Sequence, residues 1–326
     1  MNLSMHILEL EITTKCNLNC LHCYNRENKN IDMPLNTIKK YINFVDENNV
    51  NTLIISGGEA CMHNEFSEIC SYLKNERENL KNIIKITLQT NGKIKELDLN
   101  MLKGFDYIHL SFDLDENGLR KISMQETINL AKNIKQIGIN SYFFTTIHKK
   151  NIQYIDNIIK IANENNINIA FNFCIDTGRD KEFLLTSEEK QNAIKKLLEY
   201  EKDKKINKLR NPYVNSYKKM QIEKNEIFKI KGGCTAGIAS ATILANGDVI
   251  PCPFFRKVAG NIYENDLKKI WLESDLFWKL RDRKNYEKCG ECKYLAFCGG
   301  CRKSAFETSK KINGYDENCL YKNICM

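Results

Sequence analysis

Three cysteines near the start of the chain have the spacing of metal ligands. Cys16, Cys20 and Cys23 are separated by three and two residues, and Tyr24 follows the last of them. Thiolates at this spacing can surround one metal centre, but three of them leave a four-ligand centre one ligand short. A 4Fe-4S cluster held by three cysteines keeps one iron open to a small molecule, whereas a cluster with four cysteine ligands only carries electrons. The spacing therefore predicts a reactive iron-sulfur centre.

A structural zinc site is the alternative for the same three thiols. Its fourth ligand would be His22, which stands between Cys20 and Cys23. A histidine at that position can hardly face the same metal ion as both neighbouring cysteines, so we favour the iron-sulfur interpretation.

A second group of cysteines lies in the last part of the chain. A zinc ribbon needs two Cys-x2-Cys pairs separated by about 15 to 20 residues, but only five residues separate Cys292 from Cys298. Iron-sulfur ligation therefore fits this group better than zinc. The group consists of Cys234, Cys252, Cys289, Cys292, Cys298, Cys301 and Cys319.

The composition is that of a globular protein. The chain has 326 residues, of which 42% are hydrophobic and 28% charged, which excludes a disordered or fibrous protein. Its apolar amino-terminal stretch contains Glu9 and Glu11 and does not fit a signal peptide. No run of about 18 apolar residues could span a membrane. We therefore expect a cytoplasmic protein with no membrane partner, in which clustered cysteines ligate metals rather than form disulfides.

The charge pattern bears on partners. The chain has 49 basic and 41 acidic residues, for a net charge of +8, and its lysines are scattered and often alternate with glutamates. Nucleic-acid binding needs a concentrated basic stripe, so we predict no nucleic-acid partner.

Short β-rich runs alternate with helical patterns through the first two-thirds of the chain. The runs are nearly continuous apolar segments, as in parallel strands that are buried on both faces. Such units imply right-handed crossovers and either a doubly wound sheet or a relative of the eight-unit (β/α) barrel, with the chemistry at the carboxyl ends of the strands. The predicted strands are 6–12, 51–56, 83–90, 106–112, 139–147 and 167–175, and the helical stretches between them include 35–49, 125–138 and 152–166.

The last third of the chain has a different character. Residues 187–231 are rich in lysine and glutamate and predict one or two exposed bridging helices. A β-hairpin is predicted at 241–252 around Asn246-Gly247, and one amphipathic helix at 267–281. This region has little apolar core, so bound metal would supply folding free energy. We place a barrel domain at 1–210, a linker at 211–230 and a metal-binding domain at 231–326.

The amino-terminal cysteine motif resembles the signature of the radical S-adenosylmethionine (radical SAM) enzymes. Three segments at predicted strand ends support the resemblance, namely Ser56-Gly57-Gly58-Glu59, Thr90-Asn91-Gly92 and Ser111-Phe112-Asp113. The resemblance implies an α/β fold with a partial (β/α)6 TIM-type barrel. It also implies a 4Fe-4S cluster on the three cysteines, with SAM bound to the open iron.

The same resemblance implies a set of SAM-binding residues. Gly57 and Gly58 would allow close approach of the methionyl amine, and Glu59 would accept a hydrogen bond from its ammonium group. Tyr24 would lie near the adenine. Ser111 and Asp113 are candidates for the ribose or the methionine carboxylate, and Asn91 belongs to the predicted binding set.

The carboxyl-terminal cysteines resemble the SPASM extension of radical SAM enzymes, which typically carries two auxiliary iron-sulfur clusters. The turn Cys298-Gly299-Gly300-Cys301 departs from many members in having two intervening residues instead of three. By the resemblance, the nearer cluster would have three protein ligands and an iron open to another ligand. The distal cluster would be held by Cys289, Cys292, Cys298 and Cys319, and the nearer one by Cys234, Cys252 and Cys301.

The resemblance implies reductive cleavage of SAM to methionine and a 5′-deoxyadenosyl radical that abstracts hydrogen from the substrate. We expect a peptide or protein substrate, which the enzyme would crosslink, epimerise or oxidise during peptide maturation, and a flavodoxin- or ferredoxin-type reductant. A small molecule, such as a tetrapyrrole side chain or a sugar alcohol, is the alternative substrate. A non-catalytic iron-sulfur carrier is an alternative of another class, but it leaves Gly57-Gly58-Glu59 unexplained.

Four cysteines lie outside these motifs. Cys70 shares a predicted helix face with apolar residues and is expected in the core, and Cys325 lies in the tail. Cys61 follows the Gly-Gly-Glu segment, and Cys174 lies near the end of the sixth predicted strand. Either of these two thiols could donate a hydrogen atom to a substrate radical, although packing is the commoner role of such a residue.

Overall fold

The structure of the chain is a computed structural model. It describes residues 5–25, 29–94, 97–114, 122–176, 181–203, 208–209, 233–296 and 298–319. The predicted linker at 211–230 and Cys325 lie outside these residues.

All six predicted strands are present. Each pairs in parallel with the next one along the chain, which is the arrangement that their continuous apolar sequences favour. The strands are β1 (Ile7–Glu11), β2 (Thr52–Ser56), β3 (Lys85–Thr90), β4 (Tyr107–Ser111), β5 (Asn140–Ile147) and β6 (Asn168–Phe173).

Five helices connect or follow these strands and bury one apolar face each. On the fourth helix the buried residues are Ile155, Ile158, Ile159 and Ala162, as its periodicity predicts. The helices are α1 (Leu35–Glu47), α2 (Phe66–Glu76), α3 (Met124–Gln136), α4 (Ile155–Glu164) and α5 (Ser187–Lys202).

Helix α5 corrects one prediction. We expected exposed helices from residue 187 onward, but α5 buries Ala193, Ile194 and Leu197. A capping box between Thr186 and Glu189 fixes its start. The lysine-rich composition concealed this apolar face, which Leu198 and Tyr200 extend as partly buried residues packed against the core.

The sheet continues beyond the six strands at both edges. β7 (Lys208–Leu209) pairs in parallel with β6. On the other side, β8 (Ser240–Ile243) pairs in parallel with β1, and β9 (Asp248–Ile250) and β10 (Gly260–Asn261) follow in antiparallel pairing. A single ten-stranded sheet therefore includes the hairpin predicted at 241–252, and that hairpin turns at Gly247 (φ +87°).

The strand order decides between the two predicted topologies. From β1 to β6 the strands follow one another in chain order. A doubly wound sheet would reverse its direction part-way, whereas sequential order is that of a barrel. Within the described residues, the end strands β10 and β7 do not pair with each other. The fold is therefore an open, partial barrel.

The helix predicted at 267–281 is divided in two. α6 (Leu267–Glu273) and α7 (Asp275–Arg281) meet at Ser274, whose ψ of 125° is not helical. The bend brings the rings of Trp271 and Phe277 to a centroid distance of 5.1 Å in the core. One further helix, α8 (Arg302–Ser309), begins directly after Cys301.

One large hydrophobic core includes residues of the barrel strands together with Phe255, Trp271 and Leu280 from the last part of the chain. A small separate cluster forms around Tyr286, Cys289 and Tyr315. In the part of the chain that the structure describes, no helix combines the length and the apolar composition needed to cross a membrane.

Candidate active site and cysteine clusters

The three amino-terminal cysteines lie in the loop that joins β1 to α1. Cys16, Cys20 and Cys23 are partly exposed and line a cavity of about 380 Å³. The same cavity is lined by Ser56 at the end of β2 and by Ser111 at the end of β4. The cavity thus lies at the carboxyl ends of the strands, where chemistry is expected in this architecture.

The cysteine loop is anchored on both sides of the motif. Thr13 Oγ1 donates to Asp32 Oδ1 at 2.6 Å, and Lys15 Nζ lies 2.6 Å from Asp32 Oδ2. Burial acts to raise the pKa of Asp32, but the bonds from Lys15 and Thr13 outweigh it and hold this pKa below its ordinary value. The ionised Asp32 therefore fixes the start of the loop. Further along, Asn91 Nδ2 donates to Asn17 Oδ1 at 2.8 Å.

The glycine pair Gly57-Gly58 packs against this loop. Gly58 N donates to Thr13 O at 2.8 Å, and an added Cβ at Gly58 would lie 2.5 Å from the carbonyl oxygen of Lys15. Only glycine allows so close an approach. Both glycines also line the cavity, so the pair supports the cysteine loop and contributes backbone to the cavity wall.

Glu59 is buried, with 1% of its surface exposed, and is not among the residues that line the cavity. Its Oε1 accepts hydrogen bonds from Thr90 Oγ1 at 2.8 Å and Cys61 N at 3.2 Å, and its Oε2 accepts one from Asn91 N at 2.6 Å. Burial raises the pKa of Glu59, and these hydrogen bonds oppose the rise. The carboxyl group ties the end of β2 to the end of β3. Its contact with the ammonium group of SAM stays a prediction.

Asn91 lines the cavity, and its Nδ2 lies 3.9 Å from Cys16 Sγ. Asp113 is buried outside the cavity wall, and its Oδ1 accepts a hydrogen bond from Thr146 N at 3.3 Å. His22 lines the cavity with its Nε2 3.7 Å from Asp113 Oδ2. The His22 ring therefore has a carboxylate beside it, and a second imidazole, His148, lies at a centroid distance of 5.1 Å.

Tyr24 joins the cysteine loop to the last part of the chain. It lines the cavity, and its ring meets Phe254 edge-on at a centroid distance of 4.8 Å. Burial raises the pKa of Tyr24 well above its ordinary value, and the carboxyl groups of Glu9 and Glu11 add to the rise. The phenol therefore stays protonated beside these two carboxyl groups.

Sequence reasoning missed the two glutamates of β1 as site residues. Glu9 lines the cavity and accepts a hydrogen bond from Ser56 Oγ at 2.6 Å, and burial raises its pKa to about 7. Glu11 binds Arg256 through two hydrogen bonds of 2.9 and 3.0 Å. Two carboxylates in a buried strand are costly unless they are paired. Their presence in the apolar run of β1 was therefore the sequence signal for a role in the site. Other cavity residues that were missed are Gln89, His109, Phe144, Thr146, Asn172 and Phe254.

The structure separates the two candidate hydrogen donors. Cys174 lines the cavity, whereas Cys61 lies outside its wall, in a short 3-10 helix beside Glu59. Burial raises the pKa of Cys61 well above its ordinary value, and Glu59 adds to the rise. Cys70 is buried in the main core, which confirms its predicted packing role.

The carboxyl-terminal cysteines influence one another in two sets. Burial raises the pKa of Cys252 to about 12 and that of Cys301 still further, and Cys234 adds to both rises. The other set surrounds Cys289, whose pKa is raised to about 11 by burial, with additional contributions from Cys319 and Cys298. The resemblance implies these two sets for the nearer and the distal cluster, but Cys234 N also donates to Cys298 O of the other set at 3.4 Å, so the division into two clusters stays a prediction. Cys292 follows within one turn, with its N donating to Cys289 O at 3.2 Å.

The donor chemistry of all three sets fits iron-sulfur clusters. Each consists of thiols, the soft ligands that such clusters take. Among the described residues, no three histidine, cysteine, aspartate or glutamate side chains are arranged so that they could hold a metal ion. In the nearer set, Cys252 directly precedes Pro253 and Phe254 of the cavity wall, but none of its three cysteines lines the cavity.

Two family models match the chain. The model of the Radical SAM superfamily matches residues 10–162, and the SPASM model, described as an iron-sulfur cluster-binding domain, matches residues 234–293. The first match contains the amino-terminal cysteine motif. The second contains four of the seven carboxyl-terminal cysteines, Cys234, Cys252, Cys289 and Cys292.

Similar proteins include enzymes with different substrates. An AdoMet-dependent heme synthase from Methanosarcina barkeri is 25% identical over 97% of this chain and 96% of its own length. The subtilosin biosynthesis protein AlbA from Bacillus subtilis is 25% identical over 97% of this chain and 69% of its own length. The crystal structure of Streptococcus suis SuiB bound to the precursor peptide SuiA is 20% identical, with a TM-score of 0.78, over 97% of this chain and 76% of that one. The SuiB likeness shows the fold.

Proposed function

The chain belongs to the radical SAM superfamily and carries a SPASM iron-sulfur domain, and from this premise we propose that the enzyme modifies a peptide or protein substrate by hydrogen abstraction. The observation that carries the proposal is one cavity whose wall combines three thiols, a glycine pair and polar strand ends. A reactive cluster, SAM and a substrate group could meet in such a cavity.

The residues of the cavity have distinct proposed tasks. Cys16, Cys20 and Cys23 would hold the 4Fe-4S cluster, and the backbone of Gly57 and Gly58 would face SAM. When bound together, the cluster and SAM supply the one-electron chemistry that produces a hydrogen-abstracting carbon radical. Tyr24, Asn91 and Ser111 line the same wall and would orient SAM.

The remaining wall would receive the substrate. Phe144, Phe183 and Phe254 are apolar and would exclude water from the reacting groups. Glu9 and Cys174 face the same space, so Glu9 would bind a polar or cationic group, and Cys174 is the better placed of the two candidate hydrogen donors.

The size of the cavity supports a peptide substrate. A volume of about 380 Å³ lies at the low end of the range for a single ligand site. A cavity of this size cannot enclose a whole peptide together with SAM, so a peptide would stay largely outside and present one residue to the reacting groups. The name of AlbA, a bacteriocin biosynthesis protein, and the peptide-bound structure of SuiB agree with this substrate class.

We further propose two auxiliary clusters and a flavodoxin- or ferredoxin-type reductant in the cytoplasm. Cys252 of the nearer set directly precedes Pro253 and Phe254 of the cavity wall. A cluster on this set would accept an electron from the substrate, which favours net oxidation or bond formation. Every cysteine that the structure describes has a free thiol, which agrees with a reducing compartment.

A tetrapyrrole is the second candidate substrate. The heme synthase of Methanosarcina barkeri aligns over 97% of this chain and 96% of its own length, which makes it the more complete match of the two curated relatives described above. In that case the macrocycle would stay largely outside the cavity, and only one side chain would enter.

Anaerobic reconstitution with iron and sulfide, followed by dithionite and SAM, tests the radical chemistry. We expect 5′-deoxyadenosine from the wild-type protein and none above background from Cys16→Ala. Cys70→Ala is the matched control, because Cys70 is buried in the core away from the cavity wall. Its 5′-deoxyadenosine yield should stay within about twofold of the wild type. Equal yields from Cys16→Ala and the wild type would overturn the proposal.

Mass spectrometry distinguishes the two substrate classes. The reconstituted enzyme is incubated with SAM and either a short peptide encoded next to its gene or an iron-coproporphyrin. A mass change on the peptide, lost in Cys16→Ala and retained in Cys70→Ala, supports the peptide proposal. Turnover of the porphyrin with an unchanged peptide would assign the enzyme to the second class.

A further inference from the structure

Arg302, the first residue of α8, places a positive charge in the interior. Its side chain is 0% exposed, its Nη1 donates to Gly314 O at 3.0 Å, and its guanidinium carbon lies 4.0 Å from the centroid of the Tyr286 ring. Its Nε and Nη2 atoms are buried without a hydrogen-bond partner. The buried carboxylate of Asp316 lies nearby, because an added Cβ at Gly300 would be 2.8 Å from Arg302 Nη2 and 3.3 Å from Asp316 Oδ2, but it accepts no hydrogen bond from Nε or Nη2. Buried N–H groups that lack an acceptor cost free energy, so an acceptor is expected beside them.

The space next to the guanidinium is the turn between Cys298 and Cys301. An added Cβ at Gly300 would lie 2.8 Å from Arg302 Nη2, so the guanidinium packs against this turn. Gly299 (φ +73°) and Gly300 (φ +69°) both have left-handed backbone, which favours glycine. The two-glycine turn thus lets the guanidinium pack against the backbone between Cys298 and Cys301.

The surroundings of the guanidinium connect it to Cys289 and Cys298. The Tyr286 ring on which it stacks packs in one cluster with Cys289. Gly300, whose added Cβ would touch Arg302 Nη2, donates its backbone N–H to Cys298 Sγ at 3.3 Å. Both carboxylate oxygens of Asp316 already accept hydrogen bonds from other groups. Its Oδ2 accepts one from Cys301 N at 2.8 Å, and its Oδ1 accepts one from Ser304 Oγ at 2.7 Å. The guanidinium is therefore directed to the Cys289 set.

We propose that Arg302 is the counter-ion of the auxiliary cluster on Cys289, Cys292, Cys298 and Cys319, toward which it directs its unpaired N–H groups. The inference rests on the cluster assignment in the proposed function. An iron-sulfur cluster on four thiolates is anionic and becomes more so when it accepts an electron. A fixed cation and N–H donors stabilise the reduced form and raise the reduction potential. Arg302 is thus a positioning and tuning residue that makes this cluster an electron acceptor.

A redox titration of the auxiliary clusters tests the proposal. The full-length chain with Cys16, Cys20 and Cys23 replaced by alanine is reconstituted anaerobically, so that only auxiliary clusters contribute to the electron paramagnetic resonance signal. Arg302→Gln removes the charge, and Arg302→Lys keeps it. At the midpoint potential of the Arg302 protein, we expect the ratio of reduced to oxidised cluster to fall about tenfold in Arg302→Gln, or 59 mV for one electron. In Arg302→Lys it should fall less than about threefold, or roughly 28 mV by the same constant.

The control is Arg77→Lys. Arg77 is paired with Asp106 in the barrel, so this variant should leave the redox titration unchanged. An unshifted midpoint in Arg302→Gln with full iron and sulfide would overturn the proposal. If Arg302→Gln loses cluster iron, retention in Arg302→Lys supports the counter-ion role. Loss in both variants, together with loss of native circular dichroism in the metal-free proteins, would assign Arg302 to packing instead. If the protein with Arg302 intact binds no auxiliary iron, the cluster assignment fails rather than the inference.

Discussion

The two cysteine environments differ in the charged groups beside them. Cys16, Cys20 and Cys23 are partly exposed on a cavity wall, and burial, together with the neighbouring Glu59, raises the pKa of Cys16. Cys289 is buried, and the Arg302 cation opposes the rise in its pKa. The carboxyl group of Glu59 lies beside the first set of cysteines, and the guanidinium of Arg302 lies beside the second.

This difference has a consequence for electron flow. A carboxylate beside a cluster destabilises the reduced form, and a cation stabilises it. A cluster on Cys16, Cys20 and Cys23, as proposed, should therefore be the stronger reductant, and the cluster proposed on the Cys289 set should be the better electron acceptor.

The largest expected effect comes from a substitution at Gly58. It should disrupt the cysteine loop of the barrel and leave the carboxyl-terminal cysteines unchanged. In Gly58→Ala the new Cβ would lie 2.5 Å from Lys15 O, so the cysteine loop must move. Misplacement of a catalytic group by about 1 Å costs on the order of 100-fold in rate. We expect 5′-deoxyadenosine formation to fall by at least that factor, while iron and sulfide decrease only by the share of one cluster.

Gly138→Ala is the control for this substitution. Gly138 has a φ of +88°, but an added Cβ there would meet nothing within 4 Å. Its cost should be limited to backbone strain of about 1 to 2 kcal/mol, with wild-type cluster content. Normal 5′-deoxyadenosine formation by Gly58→Ala would show that the glycine pair does not support the cysteine loop.

The next effect concerns the contact that joins the two regions. Glu11 of β1 is 1% exposed and binds Arg256, which follows the hairpin of the last part of the chain. Arg256→Met leaves a buried carboxylate unpaired and should lower the free energy of unfolding by roughly 3 to 5 kcal/mol. The double variant Glu11→Gln/Arg256→Met should be more stable than the sum of the single effects by about 1 to 3 kcal/mol. Urea unfolding of the metal-free protein measures both.

An exposed ion pair provides the comparison. Lys196 and Asp156 are 2.7 Å apart with side chains 40% and 50% exposed, so Lys196→Met should cost less than about 1 kcal/mol. Strict additivity of the Glu11 and Arg256 variants would mean that the two regions are joined by packing alone.

The sequence predicted the parts of this molecule that depend on local pattern. Continuous apolar runs predicted β1 to β6, and cysteine spacing predicted the thiols of the cavity. The pairing of β8 with β1 was not predictable in the same way, because it joins residues more than 220 positions apart. The split at Ser274 was also missed, since two short helices and one long helix share the same periodicity.

The candidate site, like the fold, was predictable only where it depends on local sequence pattern. The motif segments after β2, β3 and β4 could be located from sequence, but the hydrogen bonds of Glu59 to Thr90 and Asn91 depend on how two loops meet. Glu9 and Glu11 were visible only as charges in an apolar run. Glu9 accepts a hydrogen bond from Ser56 because β1 pairs with β2. Glu11 binds Arg256 through a contact between distant parts of the chain.

The last expected effect concerns Glu9, the buried carboxyl group of the barrel cavity. Burial raises the pKa of Glu9 from 4.5 to about 7. A carboxyl group whose pKa is raised on folding stabilises the protein below pH 4.5, and this contribution is lost as the pH rises through 7. The rise corresponds to about 3 kcal/mol. Relative to the wild type, metal-free Glu9→Gln should therefore gain about that much unfolding free energy between pH 4 and pH 8, measured by urea unfolding. Glu47→Gln, on the exposed side of α1, should gain nothing, and it cancels the contributions of the other carboxylates. If the two variants follow the same pH dependence, folding does not raise the pKa of Glu9 and its burial imposes no cost on the ionised form.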